Sequence, residues 1–508
     1  MNKDGKTAVI IGGGLGGLFT GAMFSRLGYA VTVLEKNRTA GGGLQNFSCR
    51  GTVFDTGMHV VGGFGEGGSL RRICSWLGIM DSLSMTDTPA DCMDTITYLS
   101  DGRTYRLASG REGFVESLSR EFPEEKEGIA AYVDRLYALA GEIPLFHVRN
   151  AGRSNLAHSE DFFMPADQLI DRYVRDPRLK DVLAYMNTMY GGRKGHTPAY
   201  VHAVINVLYI NGSSRFNGGS QQLADALVGV IGKEGGRVLT GNKAVRVRVE
   251  DRAVTAVEAE DGKEYRGDIY VSAIHPLSLL DIIDRGAFPP SYASRLKSIP
   301  STYSAFVVFI KFKKNTFPYL PSPEYCQVDY GHFWDGDCCR GEQWPAGFMA
   351  MTPPDSAQGP WADRMTVNCI MDYGEVRRWE NTYVGHRGDD YLRWKEAHVA
   401  KVLSRLAERY PGIEDCIEYA FGASPLTVRD YYGTFEGSMY GYAKDSQNLP
   451  LSYIPVRTKV RNLLLTGQNV NLHGICGVPL TAIETVEAVE GFGTIVDKIN
   501  ENYYGYRI

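Results

Sequence analysis

The chain has 508 residues, 44% of them apolar and 22% charged, with a formal net charge of -5 and a pI near 6.1. At roughly 100–200 residues per domain, this length predicts two or three domains with cores large enough to need no staples. The mild acidity excludes the basic footprint of a nucleic-acid binder, and no run of about 18 apolar residues is present to span a bilayer.

The nine cysteines follow no CxxC or His-rich spacing, so no metal site is expected. An odd count without a framework predicts reduced thiols in the cytoplasm, with the adjacent pair Cys338-Cys339 read as two free thiols. The charged start, Met1 to Lys6, runs straight into Thr7-Ala8-Val9-Ile10-Ile11 without the apolar stretch of a signal peptide.

In chain order, Ala8–Ile11 reads as a short buried strand. Leu15–Leu27 reads as a helix with Leu15, Leu18, Phe19, Ala22, Met23 and Leu27 on one face, ended by Gly28. Ala30–Leu34 is the second strand. Thr95–Ser100 and Arg103–Leu107 flank Asp101-Gly102 as a hairpin. Arg111 to Val207 reads mainly as helix. Within it, Asp161 to Tyr190 carries an amphipathic pattern (Leu169, Ile170, Val174, Leu179, Val182 among others) that reads either as domain packing around Pro177 or as a peripheral membrane contact. Ser220 is expected to cap a helix carrying Leu223, Leu227, Val230 and Ile231. Strands are expected at Ala244–Val249, Val254–Ala259 and Glu264–Ser272. Further strands are expected at Thr302–Lys313, Phe348–Thr352, Met365–Asp372 and Ile417–Ala423, and Asn462–Thr466 is the last, before a glycine-rich turn and a helix from about Leu480.

Gly12-Gly13-Gly14-Leu15-Gly16-Gly17 fits G-x-G-x-x-G in its required place, after a strand and opening a helix. Gly12 permits the tight turn, Gly14 lets backbone approach a pyrophosphate, and Gly17 lets helix and strand pack closely. The helix N-terminus offers unpaired N–H groups to the phosphates. Glu35 closes the second strand, where its carboxylate can accept from both ribose hydroxyls and would repel a 2′-phosphate.

Three further segments extend the pattern: Glu35 to Gly42 (E-x(5)-G-G), Phe54-Asp55-Thr56-Gly57-Met58-His59, and Asn462 to Val478, with Arg215 to Ala226 between them. Their order and spacing resemble FAD-dependent phytoene desaturases, carotenoid isomerases and retinol saturases, a group related to the flavin amine oxidases. The resemblance implies non-covalent FAD held by Gly12, Gly14, Leu15, Gly16, Gly17, Glu35, Lys36, Gly42, Gly43, Leu44, Gly57, Met58, His59, Val245, Ala273, Gly467, Gln468, Gly477 and Val478. It implies that a helix near Val478 points its N-terminus at the flavin ring, and that His59 and His473 are candidate proton donors. Gly43 stands where the family often has Arg, and Gln468 stands where it usually has an acidic residue. Only one dinucleotide turn exists, so a resident NAD(P) is not supported.

The fold class expected is α/β. A discontinuous Rossmann-type FAD domain is expected from 1–80, 208–285 and 450–508, with an α+β substrate domain from 81–207 and 286–449 combining an antiparallel sheet and a helical cap. The function implied is redox or isomerisation at carbon–carbon double bonds of an apolar polyene or isoprenoid lipid, with an unknown electron partner. The alternatives are a flavin amine oxidase, which would need an aromatic cage, and a non-redox prenyl-protein escort of the GDP-dissociation-inhibitor type, which need not keep the glycine turn and Glu35.

Overall fold

The β-branched runs of the first unit leave no polar face to wet, and the chain buries them on both sides. Thr7–Ile11 pairs in parallel with Ala30–Leu34 and with Ile269–Ser272, Ile10 lying opposite Val33 and Val271. Arg237–Leu239 and Leu463–Leu465 complete a five-stranded sheet in the order 237–239, 30–34, 7–11, 269–272, 463–465. The helix Leu15–Arg26 lies on this sheet and packs against two others, Gln221–Lys233 and Gly474–Glu490. The computed structural model describes residues 5–57, 60–150, 158–334, 341–448 and 453–505.

The second sheet has seven strands, in the order Ile417–Ala423, Ser304–Phe312, Arg364–Met371, Gly347–Met351, Glu324–Gln327, Asp94–Tyr98 and Thr104–Leu107. Its pairings are antiparallel except that of Glu324–Gln327 with Asp94–Tyr98. Along Ser304–Phe312 the side chains alternate. Phe306, Val308, Ile310 and Phe312 share a core with Val402 and Leu406 of the helix Asp389–Arg409, while Ala305, Val307 and Phe309 face Phe54. The helices Lys126–Gly141 and Ala199–Ile210 pack together to form the cap.

Several expectations need correction. Glu264–Ser272 is two strands: Glu264–Tyr265 belongs to a three-stranded antiparallel sheet and Ile269–Ser272 to the parallel one, with Arg266-Gly267-Asp268 as the crossing. The amphipathic stretch Asp161–Tyr190 is broken before Pro177 into the helices Ala166–Tyr173 and Pro177–Leu183. Leu169, Ile170, Val174, Leu179 and Val182 are all buried, so these side chains leave no apolar face for a membrane. Ser220 does not cap its helix. Its hydroxyl lies 3.0 Å from both Leu44 O and Asp55 Oδ1, and ties the helix to the neighbouring chain instead. The helix expected from about Leu480 starts at Gly474 and contains Pro479, and a further helix, Thr494–Gly505, follows it. Proline there removes one internal hydrogen bond, and the buried face carrying Leu480, Ile483 and Val486 outweighs that loss. Among the described residues no helix is long and apolar enough to cross a membrane, and the seven described cysteines are free. Cys338 and Cys339 lie outside the described residues.

Candidate functional site

The glycine turn is built as its spacing requires. Gly12 has φ +101° and donates to Leu34 O at 2.8 Å. A Cβ on Gly17 would lie 1.9 Å from Gly12 O, and one on Gly16 would lie 2.8 Å from Gly467 Cα. Helix, first strand and C-terminal turn therefore meet backbone to backbone. Gly14 is different. Its φ is -77°, and a Cβ there would meet nothing nearer than Gly42 Cα at 4.0 Å. The space in front of Gly14 is open, and no side chain caps the helix it begins, so the first-turn N–H groups remain available to an anion.

Glu35 is 5% exposed and lies over this turn. Its Oε2 accepts from Gly13 N–H and its Oε1 from Asn37 N–H, each at 2.7 Å. Burial raises the proton affinity of its carboxyl, and the two N–H donors oppose that. Lys36 donates to Asp430 O at 2.7 Å, which fastens the end of the second strand to the helix Pro425–Tyr432.

From this turn one cavity of about 620 Å³ runs past Gly467 and Gln468 to the far sheet, within the range of small-molecule sites. Its wall includes Gly12, Gly14, Leu15, Gly16, Glu35, Lys36, Gly42, Gly43, Leu44, Gly57, Ala273, Gly467, Gln468, His473, Gly477 and Val478. Gly17 stands behind the wall in its packing role. Val245 does not line the cavity. It is 42% exposed, at a register shift after Ala244, and Ala244 lines the cavity in its place. Met58 and His59 lie outside the described residues. Gly43 carries no arginine because a Cβ there would meet the Tyr432 ring at 2.9 Å. Gly43→Arg is expected to cost about 1–3 kcal/mol through overpacking against that ring, read as a lowered unfolding temperature.

His473 is 5% exposed, lines the cavity, and has no hydrogen-bond partner on either ring nitrogen among the described residues. Burial first, then the nearby Lys444 charge, lowers its pKa to about 3, so it is neutral at pH 7 with one donor and one acceptor. It immediately precedes the helix Gly474–Glu490, whose first turn, Gly474 to Cys476, also lines the cavity. Bare buried nitrogens are costly unless a ligand meets them. The open cradle at Gly14, two uncapped helix N-termini and this histidine together fit a long, anionic, heteroaromatic cofactor.

Beyond Gly477 the cavity reaches the helix Ala199–Ile210, which lines it with Val201, Val204, Ile205 and Leu208. This is the i, i+3, i+4, i+7 face of a helix. The opposite face carries His202, which is satisfied by the Tyr132 and Tyr190 hydroxyls at 2.6 and 2.7 Å. Tyr303 and Tyr440 also line the chamber. Their rings are 6.3 Å apart at 82°, and their hydroxyls donate to the Asn187 and Thr188 carbonyls. A perpendicular pair anchored in this way is not a parallel aromatic cage. Sequence reasoning missed His275, whose Nδ1 accepts from Leu277 N–H while Nε2 has no partner among the described residues, and Tyr432 and Ala244. A His-Pro pair ending a strand was the available signal for His275.

Comparison with known proteins agrees with this geometry. All-trans-retinol 13,14-reductase of Rattus norvegicus is 26% identical over 92% of this chain and 83% of its own. Prolycopene isomerase 1, chloroplastic, of an Oncidium hybrid cultivar is 22% identical over 85% of this chain and 75% of its own. The crystal structure of an oxidoreductase from Methanosarcina mazei shares the fold, with a TM-score of 0.65 at 16% identity over 95% of this chain and all of that one. The family described as flavin containing amine oxidoreductase matches residues 15–489, from the end of the glycine turn through the C-terminal helix Gly474–Glu490. The chain therefore belongs to that family and is a flavin-dependent oxidoreductase.

Proposed function

We propose that this enzyme holds FAD non-covalently and adds, removes or shifts hydride at carbon–carbon double bonds of an apolar polyene or isoprenoid lipid. The observation that carries the reading is the single cavity joining the dinucleotide turn to a chamber walled by Val201, Val204, Ile205 and Leu208. The retinol reductase and prolycopene isomerase relatives support the same substrate class. The perpendicular Tyr303–Tyr440 pair speaks against an amine oxidase, and the complete glycine turn with Glu35 speaks against a non-redox escort.

FAD, when bound, supplies the hydride-transferring ring. The chain's part is to seat the pyrophosphate at Gly14–Gly16, to present Glu35 to the ribose, and to meet the ring with the Gly467–Val478 segment. The apolar wall excludes water and orients the chain of double bonds. His473, neutral and facing the cavity, holds or passes a proton. The segments 1–80, 208–285 and 450–508 form the cofactor half, and the rest forms the substrate half. A second resident nicotinamide has no turn to bind it, so the electron partner is taken to be external.

The test is anaerobic photoreduction of the purified protein, followed by addition of polyenes, quinones or amines. Reoxidation by, or saturation of, a polyene is expected. Peroxide release with amines under air, or a colourless protein that takes up no FAD, would overturn the reading. His473→Phe should lower turnover about 100-fold, in the range of lost general acid–base catalysis, with flavin content unchanged.

A further inference from the structure

The sheet that floors the chamber carries three hydrogen-bonding side chains that the chemistry above does not use. Tyr325 and Gln327 stand two apart on Glu324–Gln327 and share a face. Asn368 stands on Arg364–Met371, and Met349 is the direct cross-strand neighbour of both Tyr325 and Asn368. All three line the cavity, with Tyr325 2% and Gln327 7% exposed. Among the described residues neither the Tyr325 hydroxyl nor the Gln327 amide makes a hydrogen bond, and Asn368 Oδ1 is buried without a partner.

Gly347 explains how the groups converge. It pairs with Gln327, and a Cβ on it would come within 2.2 Å of Gln327 Oε1. The amide of Gln327 therefore lies across the strand Gly347–Met351, leaning toward the strand that bears Asn368. The other cavity groups on this part of the sheet, Phe348, Met349 and Ile370, are apolar, with Ser304 on the neighbouring strand and His332, five residues past Gln327, as the nearest other polar lining groups in the chain. The carboxylates and ammonium groups of the described wall, Glu35, Lys36, Lys243 and Asp281, all lie in the other half of the chain fold, and none is on this sheet.

We propose that Tyr325, Gln327 and Asn368 form a subsite for an uncharged, oxygen-bearing end of the substrate, a hydroxyl or carbonyl at the terminus of the apolar chain. This rests on the polyene or isoprenoid reading above and narrows it. A hydroxyl can donate to Asn368 Oδ1 and accept from Tyr325 or Gln327, whereas a carbonyl can only accept, from the Tyr325 hydroxyl or the Gln327 and Asn368 amide N–H groups. A carboxylate meets no lysine or arginine among the described cavity-lining residues of the sheet. A hydrocarbon leaves all three polar groups bare, which is the larger cost.

The test uses holoprotein and a polyene series of one length ending in methyl, primary alcohol, aldehyde or carboxylate, with binding read by quenching of tryptophan fluorescence. The alcohol and aldehyde should bind about 10- to 100-fold tighter than the hydrocarbon, the scale set by leaving a buried hydrogen-bonding group unmet. Gln327→Met with Asn368→Leu should bring the alcohol and hydrocarbon together while leaving flavin content and unfolding temperature unchanged or raised, since only unpaired groups are removed. A hydrocarbon or carboxylate bound as tightly as the alcohol in the wild-type protein overturns the subsite and leaves the polyene reading standing. So does a preference for the alcohol that survives both substitutions. No quenching by any member of the series overturns both.

Discussion

Gly14→Val is expected to yield a folded protein that holds its yellow cofactor more weakly. The backbone at Gly14 is already in a conformation open to any L-residue, and an added Cβ touches no protein atom closer than 4.0 Å. The Cβ of a valine therefore fits the apoprotein and projects into the space where backbone and pyrophosphate must meet. Overpacking a rigid contact costs about 1–3 kcal/mol, so FAD affinity should fall roughly 10- to 100-fold while the unfolding temperature without cofactor stays that of the wild type. Gly17→Val, three residues on, should behave differently. Its Cβ would sit 1.9 Å from Gly12 O, so the βαβ unit itself should fail and the protein should express poorly. Visible absorbance and thermal unfolding of the two variants separate a cradle from a packing contact. A Gly14→Val protein with wild-type FAD affinity would show that the phosphates are seated elsewhere.

That contrast also shows which parts of the site were legible in the sequence. The glycine turn, Glu35 and the C-terminal strand and helix could be read because Gly12, Gly16 and Gly17 answer backbone demands that a larger residue does not meet, and the order of the segments repeats a family pattern. Thr302–Lys313, Met365–Asp372 and Ile417–Ala423 could be read because long runs of β-branched and aromatic residues have few other uses. The strand Glu324–Gln327 could not. It has four residues, it follows Pro321 and Pro323, and all four of its side chains are buried, so neither alternation nor length marks it. It nevertheless places Tyr325 and Gln327 in the chamber. The helix start at Gly474 was hidden by Pro479 and by glycines that normally read as turn. Val245 was carried over by resemblance, and a register shift that no sequence pattern reveals turned Ala244 inward instead.

The carboxyl of Asp94 supplies the second large effect, one set by pH. It begins the strand beside Glu324–Gln327, is 2% exposed, and accepts from the Tyr185 hydroxyl at 2.9 Å. Burial pushes its pKa up to about 7, against the opposing pull of Tyr185 and of the buried Arg215 nearby. Arg215 spends its own donors on Thr352 O, Pro321 O and the Tyr319 hydroxyl. Below about pH 3.8 Asp94 is protonated in both folded and unfolded chains and carries no penalty. Between that pH and 7 the folded chain holds a proton that the unfolded chain has released, so stability falls as pH rises, and above 7 the full cost is in place. The span from 3.8 to about 7 corresponds to at most about 4 kcal/mol. Asn keeps the acceptor for Tyr185 and removes the titration. Asp94→Asn should therefore match the wild type near pH 4 and exceed it in stability by up to about 4 kcal/mol at pH 8, less whatever Arg215 loses with its neighbouring charge. Denaturant unfolding of both proteins across that range checks it, and a difference that is constant with pH would sink it. The Tyr185 ring meets the Tyr325 ring edge-on at 5.1 Å, so this carboxyl lies one tyrosine behind the chamber floor. A stability gain confined to high pH, with hydrocarbon binding unaltered, would assign Asp94 to the support of that floor and not to contact with substrate.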